Sequence, residues 1–247
     1  MQLNLKNINF GYDNGIILSD FNLNISANEF VSIVGLSGCG KTTLLNLVAG
    51  FIRPSEGVIE FENQKIKGTS SDRVMVFQED AVFPWFTVFD NVSYSLKIKK
   101  NKLDIDFIYD LISDVGLNGF EKFYPKELSG GMKKRVDLAR AYAATPKLML
   151  MDEPFGSLDA YTRQKMQQLL LKMWKKNKST ILFVTHDINE AIYQSDRVIL
   201  MNNEKGNIQK EYYIKIDRPR NQNIKKSTEF IKLWTEIENE LLKIENE

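Results

Sequence analysis

Apolar residues alternate with polar ones along residues 3–10 (Leu3, Leu5, Ile8, Phe10) and 16–25 (Ile16, Leu18, Phe21, Leu23, Ile25). That period predicts two half-buried antiparallel strands joined by a turn at Gly11-Tyr12-Asp13-Asn14-Gly15. The pattern then changes. Residues 30–34, 74–77, 148–151, 180–185 and 197–201 are short, mainly apolar runs without alternation, as expected of strands covered on both faces. Residues 58–61 and 207–216 predict further strands, with a polar loop over 63–72. Elsewhere apolar positions recur every three or four residues, which predicts helices. They are Leu44, Leu45 and Val48 after residue 42; Phe107, Ile108, Leu111, Ile112 and Val115; Val136, Ala139 and Ala143; and Met166, Leu169, Leu170 and Met173. A final stripe of Phe230, Trp234, Ile237, Leu241 and Ile244 predicts a C-terminal helix that packs on its own domain. Residues 79–99 fit neither period. Phe83, Pro84, Trp85, Phe86, Val88 and Phe89 crowd a stretch with loop character, and they read as a mixture of subdomain core and apolar surface for a partner.

The run at 30–34 leads into Gly35-Leu36-Ser37-Gly38-Cys39-Gly40-Lys41-Thr42, which fits G-x-x-x-x-G-K-[ST] between a strand and a helix. Glycines let backbone N–H groups close around a polyphosphate, and the helix N-terminus adds partial positive charge. Lys41 is expected to reach the β and γ phosphates, and the Thr42 hydroxyl to ligate Mg²⁺, with Thr43 beside it. A bare glycine turn is the plain alternative, and it leaves the match at every fixed position unexplained. Cys39, at a helix N-terminus beside Lys41, is either a thiol favoured as thiolate or a variable loop position.

Other polar residues end the buried runs: Gln78 after the second, Asp152-Glu153 after the third, His186-Asp187 after the fourth. In an open α/β sheet, ligands bind beyond the carboxyl ends of the strands, so these groups converge there with the glycine loop. Two carboxylates at a buried strand end are costly unless they face a cation or water. In a phosphate-loop protein the first, Asp152, suits Mg²⁺ and the second, Glu153, can act as general base toward the attacking water. Asp187 can cap the following helix. Ser129-Gly130-Gly131 before a helix is either a serine N-cap or a second anion site, and spacing alone favours the cap. Tyr12 could stack on a base or serve as a turn aromatic.

Composition narrows the field. The chain has 247 residues, 43% hydrophobic and 26% charged, enough for a globular core with a subdomain. A net charge of +1 gives no global field toward nucleic acid or anionic membranes. No apolar run approaches the roughly 18 residues of a bilayer span, and the start of the sequence lacks a signal-peptide pattern. One cysteine cannot form an intrachain disulfide, which suits a reducing cytoplasm. With one histidine, any imidazole chemistry must use His186. Asn101-Lys102-Leu103-Asp104 matches the guanine-reading N-K-x-D motif. It precedes Asp152-Glu153, the wrong order, and no D-x-x-G occurs, so it reads as a chance match on a polar helix start.

In order and spacing, residues 2–220 resemble the ATP-binding subunits of ABC transporters. The most specific feature is Leu128-Ser129-Gly130-Gly131-Met132, which looks like the ABC signature, shortly before Asp152-Glu153. Ser157-Leu158-Asp159 looks like the D-loop, Gln78 the Q-loop glutamine, His186 the switch histidine and Tyr12 the adenine-stacking aromatic. Phe83-Pro84-Trp85, the run from Asp152 to Asp159 and Thr162-Arg163 further resemble the nitrate, sulfonate and taurine importer group and its relatives for thiamine-precursor pyrimidines. Met132 stands where the signature usually has glutamine.

The resemblance implies a P-loop NTPase core with a mainly parallel sheet, an N-terminal antiparallel β subdomain and a helical subdomain inserted at about 87–145. Residues 1–220 would form the ATPase domain and 221–247 a C-terminal amphipathic helix. It implies ATP and Mg²⁺ as ligands, the metal held by Thr42, Gln78 and Asp152, with Glu153 and His186 catalytic. It also implies a head-to-tail homodimer in which each ATP lies between one chain's glycine loop and the other's Ser129-Gly130-Gly131. Membrane permease subunits would dock near Gln78 to Phe89 at the cytoplasmic face of the membrane, with a solute-binding protein acting indirectly and no nucleic acid. A soluble ABC-type ATPase uncoupled from transport is the alternative; such proteins carry coiled-coil insertions or tandem cassettes, which this sequence lacks.

Overall fold

The computed structural model describes residues 2–13, 15–79, 81–98, 104–204 and 206–246. In chain order its elements are β1 (Leu3–Tyr12), β2 (Gly15–Ile25), β3 (Phe30–Gly35), α1 (Lys41–Ala49), β4 (Glu56–Phe61), β5 (Gln64–Lys65), β6 (Arg73–Val76), α2 (Val88–Ile98), α3 (Ile105–Asp114), α4 (Gly130–Ala143), β7 (Leu148–Asp152), α5 (Ala160–Asn177), β8 (Thr180–Val184), α6 (Ile188–Gln194), β9 (Arg197–Met201), β10 (Ile208–Tyr213) and α7 (Thr228–Asn246). They divide into two compact units, residues 1–70, 150–153 and 179–247, and residues 71–149 and 154–178.

The first unit holds an antiparallel sheet in the order β2-β1-β4-β5. Leu3, Leu5 and Ile8 of β1 are buried, as the alternation requires. The turn after β1 is tighter than the sequence suggests: Gly11 pairs with Ile16 and Tyr12 with Gly15, so both glycines lie in strands. A second sheet runs β10-β9-β3-β8 and on to the last residues of β7. β3 pairs in parallel with both β8 and β9. Every residue of β3, β8 and β9 is buried, which is why these runs show no alternation. Each fully buried Val, Ile, Leu or Phe there contributes roughly 1.5–3 kcal/mol. The N-terminal half of the chain thus supplies β3 and α1, and residues 179–247 return to build the rest of the same core.

Asp187 caps α6 by accepting N–H bonds from Asn189 and Glu190. The C-terminal stripe folds as anticipated: Phe230, Ile237 and Ile244 of α7 are buried, α7 packs against α6, and Lys210 Nζ reaches Glu236 at 2.8 Å to tie α7 to β10.

The second unit is mainly helical. α3, capped by Asp104 Oδ1 accepting from Phe107 N at 3.0 Å, buries Ile108, Leu111 and Ile112. Asn101, Lys102 and Leu103 of the N-K-x-D match lie outside the described residues. α4 packs against α2, α3 and α5, and Lys176 Nζ of α5 meets Asp114 Oδ2 of α3 at 2.5 Å. The stretch 79–99, loop-like by its residues alone, is helical over Val88–Ile98. Thr87 and Asp90 are the reason. Asp90 N donates to Thr87 Oγ1 at 3.1 Å and the hydroxyl donates back to Asp90 Oδ2 at 2.7 Å, which satisfies an orphan donor of the first turn.

Candidate nucleotide site

In the first unit the glycine loop joins buried β3 to α1. Gly40 has φ 100° and a Cβ there would lie 3.0 Å from Ile17 Cγ2, so no other residue fits without strain. Gly35 lies so close to β9 that a Cβ would sit 2.7 Å from Met201 O. Ser37, Gly38 and Thr42 are exposed, Leu36 and Thr43 half-buried, Cys39 and Gly40 buried. Lys41 is only 8% exposed, and its ammonium donates to Gly35 O at 2.8 Å and Leu36 O at 2.7 Å. A point charge is thereby fixed against the loop's own backbone.

Asp152, at the end of β7, is hydrogen-bonded to the Thr42 side chain. Burial pushes its carboxyl up; the Thr42 hydrogen bond opposes this, Glu153 adds to it and Lys41 opposes it. A hydroxyl and a partly desolvated carboxylate side by side are hard oxygen donors of the kind Mg²⁺ takes together with substrate phosphates, so the residues fit that ion. Glu153 turns off the strand at φ 42°, a sparsely populated region for a non-glycine residue. Its N–H donates to Val184 O at 2.9 Å, and its Oε2 stands 3.0 Å from His186 Nδ1. The imidazole is 68% exposed. β7 and β8 thus bring together the acid and the histidine that the sequence suggested, beside the Asp152–Thr42 pair. Tyr12, 53% exposed, sits at the end of β1 with its ring edge-to-face on Phe10 at 4.9 Å. Of the two readings of Cys39, the structure favours the plain loop position. The side chain is buried, and burial raises its thiol despite Lys41 Nζ at 3.8 Å.

The second unit carries the other candidates. Ser129 is the N-cap of α4, its Oγ accepting from Met132 N at 3.3 Å, and Ser129 and Gly130 are exposed with Gly131 half-buried. Gln78 follows β6, exposed, and its carbonyl accepts from Lys134 Nζ of α4 at 2.5 Å. Two features escaped the sequence reading. Arg140 of α4 donates to Ala81 O and to Asp137 Oδ1, both at 2.6 Å. Asn91, fully buried, holds the aromatic stretch by accepting from Phe83 N at 2.8 Å and donating to Phe86 O at 3.1 Å and Thr87 O at 3.0 Å. A lone amide on the apolar face of α2, between Val88 and Leu96, was the available signal. Trp85 projects from this loop, 67% exposed. A cleft of about 390 Å³ lies alongside, lined by Met75, Phe77, Phe83, Tyr94 and Ile98 among others.

Comparison with known proteins decides the family. The profile described as ABC transporter matches residues 18–156. This chain belongs to the ABC transporter ATP-binding family. The cassette is 44% identical over 207 residues to an aliphatic sulfonates import ATP-binding protein, SsuB, of Bacillus cereus, covering 84% of this chain and 82% of that protein. It is 42% identical over 232 residues to the nitrate import ATP-binding protein NrtD of Synechocystis sp., covering 90% and 86%. Among solved structures, the ATP-binding cassette MJ0796, a dimer in a post-hydrolysis state bound to ADP and Pi, superposes with TM-score 0.75 at 32% identity over 87% of this chain and all of that one. The cassette is therefore an ATP-hydrolysing enzyme of the importer group that includes sulfonate and nitrate proteins, with the α/β fold of that family. No helix among the described residues is long and apolar enough to cross a membrane.

Proposed function

We propose that this ABC cassette energises uptake of a small solute through separate membrane permease subunits, working as a head-to-tail homodimer bound peripherally at the cytoplasmic face of the membrane. The solute is of the nitrate, sulfonate, taurine or thiamine-precursor type, the first two suggested by the relatives' names. A solute-binding protein delivers it to the permease. The ATPase body is residues 1–220, with 221–247 as its C-terminal helix. The observation that carries the chemistry is the Glu153–His186 contact of 3.0 Å, in the same unit as the glycine loop and the Asp152–Thr42 pair.

In this reading residues 35–43 bind the triphosphate through backbone N–H groups and Lys41, and Tyr12 stacks on the adenine. Thr42, Asp152 and Gln78 would hold Mg²⁺, which would screen phosphate charge. Glu153 orients a water and takes its proton as the water oxygen bonds the γ-phosphorus; the bond to the bridging oxygen breaks and its electron pair leaves with ADP. His186, beside Glu153, hydrogen-bonds the γ-phosphate. Ser129, Gly130 and Gly131 of the second copy close on the same phosphate, the α4 N-terminus adding its dipole. Loss of that phosphate removes the charge that holds two such rims together, so hydrolysis opens the dimer. The exposed Trp85 and the apolar cleft beside Phe83 suit a permease segment, and Asn91 keeps that surface ordered.

ATPase activity of the cassette reconstituted with its neighbouring permease and binding protein tests the coupling. Stimulation by one solute, lost on replacing Trp85 with Ala, is the expected result. Equal rates with and without the permease would refute transport coupling.

A further inference from the structure

His186 is exposed, so packing of its own ring does not hold it 3.0 Å from Glu153. The chain on either side does. Thr185 Oγ1 accepts from Asp187 N at 3.1 Å and donates to Glu190 Oε2 at 2.5 Å. One hydroxyl therefore bonds the residue after the histidine and the first turn of α6. The Thr185 N–H donates to Ile33 O of β3 at 3.1 Å, and Asp187 Oδ1 accepts from Asn189 N at 2.8 Å and Glu190 N at 3.2 Å. Thr185 is 2% and Glu190 4% exposed. A carboxylate taken that far out of water is costly unless it is hydrogen-bonded, and an apolar residue would suit the position better if packing were its only task. The arrangement fixes the Val184–Thr185 peptide to the sheet and, through the Thr185 hydroxyl, the His186–Asp187 peptide to α6.

We propose that Thr185 and Glu190 are positioning residues for the switch histidine, setting His186 against Glu153 without touching the nucleotide. This rests on the reading above in which Glu153 and His186 act at the γ-phosphate. A group displaced by about 1 Å can cost two orders of magnitude in rate while leaving binding intact. Thr185→Val keeps the shape and removes the hydroxyl; Thr185→Ser restores it; Glu190→Gln keeps an acceptor oxygen.

The test combines steady-state ATPase kinetics with the ring ¹⁵N signals of the chain's one histidine, which need no assignment. Thr185→Val is expected to lower kcat about 10–100-fold with KM for ATP within about twofold, and to move the ring signals. Thr185→Ser and Glu190→Gln are expected to return both readings close to the original. Should Thr185→Val not fold, Glu190→Ala, which leaves the Thr185–Asp187 bond, is read in the same way. Unmoved ring signals, or a loss of kcat that serine does not restore, would overturn the proposal. His186→Ala is measured in parallel. If it leaves kcat unchanged, the catalytic reading of His186 falls, and the ring signals alone then decide the positioning claim.

Discussion

Replacing Glu153 by glutamine is the most informative single change. The amide has nearly the same shape, so the backbone bond from Glu153 N to Val184 O at 2.9 Å and the unusual φ of 42° should survive. The side-chain oxygen can still stand 3.0 Å from His186 Nδ1. What is lost is the ability to accept a proton from water. General-base catalysis contributes roughly 10²–10⁴-fold, equivalent to about 3–5 kcal/mol of barrier. Phosphate release at saturating Mg-ATP should fall by that factor. Nucleotide affinity, measured by equilibrium fluorescence, should stay within about threefold, because in the proposed mechanism Lys41 and the loop backbone carry binding. A kcat within about tenfold of the original would remove Glu153 from the role of base. A large loss of affinity would show that Glu153 shapes the loop instead.

Lys41→Ala removes charge-assisted hydrogen bonds worth about 1.5–3 kcal/mol, so ATP affinity measured by calorimetry should drop by one to two orders of magnitude; unchanged binding would contradict the loop assignment. Asp152→Asn should raise the melting temperature of the nucleotide-free protein near neutral pH. Burial raises the Asp152 carboxyl above its unfolded value of 3.8, so the folded state binds the extra proton, and its stability falls as pH rises from that value through the folded one. The same variant should lose the added stabilisation that Mg²⁺ gives with ATP, and calorimetric scans with and without the ion check both statements. Arg220, 6% exposed, donates to the carbonyls of Ile192 at 2.9 Å and Ser195 at 2.6 Å around the end of α6. Burial and then Arg218 push its guanidinium down to about 10. Arg220→Ala should cost about 2–4 kcal/mol in urea unfolding by orphaning those acceptors; a cost under about 1 kcal/mol would mean that water replaces the guanidinium.

Much of this was legible because both periodicities were clean. The runs at 30–34, 180–185 and 197–201 lack alternation since β3, β8 and β9 are covered on both faces. The stripe from Phe230 to Ile244 predicted α7 because one helical face is buried. The Glu153–His186 and Asp152–Thr42 contacts were foreshadowed where buried strands end in polar residues. Local hydrogen bonding was harder to see. The Thr87–Asp90 cap starts α2 inside a run of rings whose hydrophobicity masks any period. Asn91 and Asp137 bond to loop segments elsewhere in the chain, and no spacing rule marks such partners. Cys39 stayed open between two readings because helix N-terminus and lysine were visible in the sequence, whereas the burial that raises its thiol depends on packing.

The central claim is that two copies of this cassette enclose Mg-ATP between residues 35–42 of one and Ser129-Gly130-Gly131 of the other. Its most direct test is sedimentation of the Glu153→Gln protein with saturating Mg-ATP, alongside cross-linking from a cysteine placed at Ser129 in a Cys39→Ala background. The account predicts a species of twice the monomer mass, linked from Ser129 of one copy to the glycine loop of the other and lost when ADP replaces ATP. A monomer under all these conditions, or a dimer indifferent to the γ-phosphate, would contradict it.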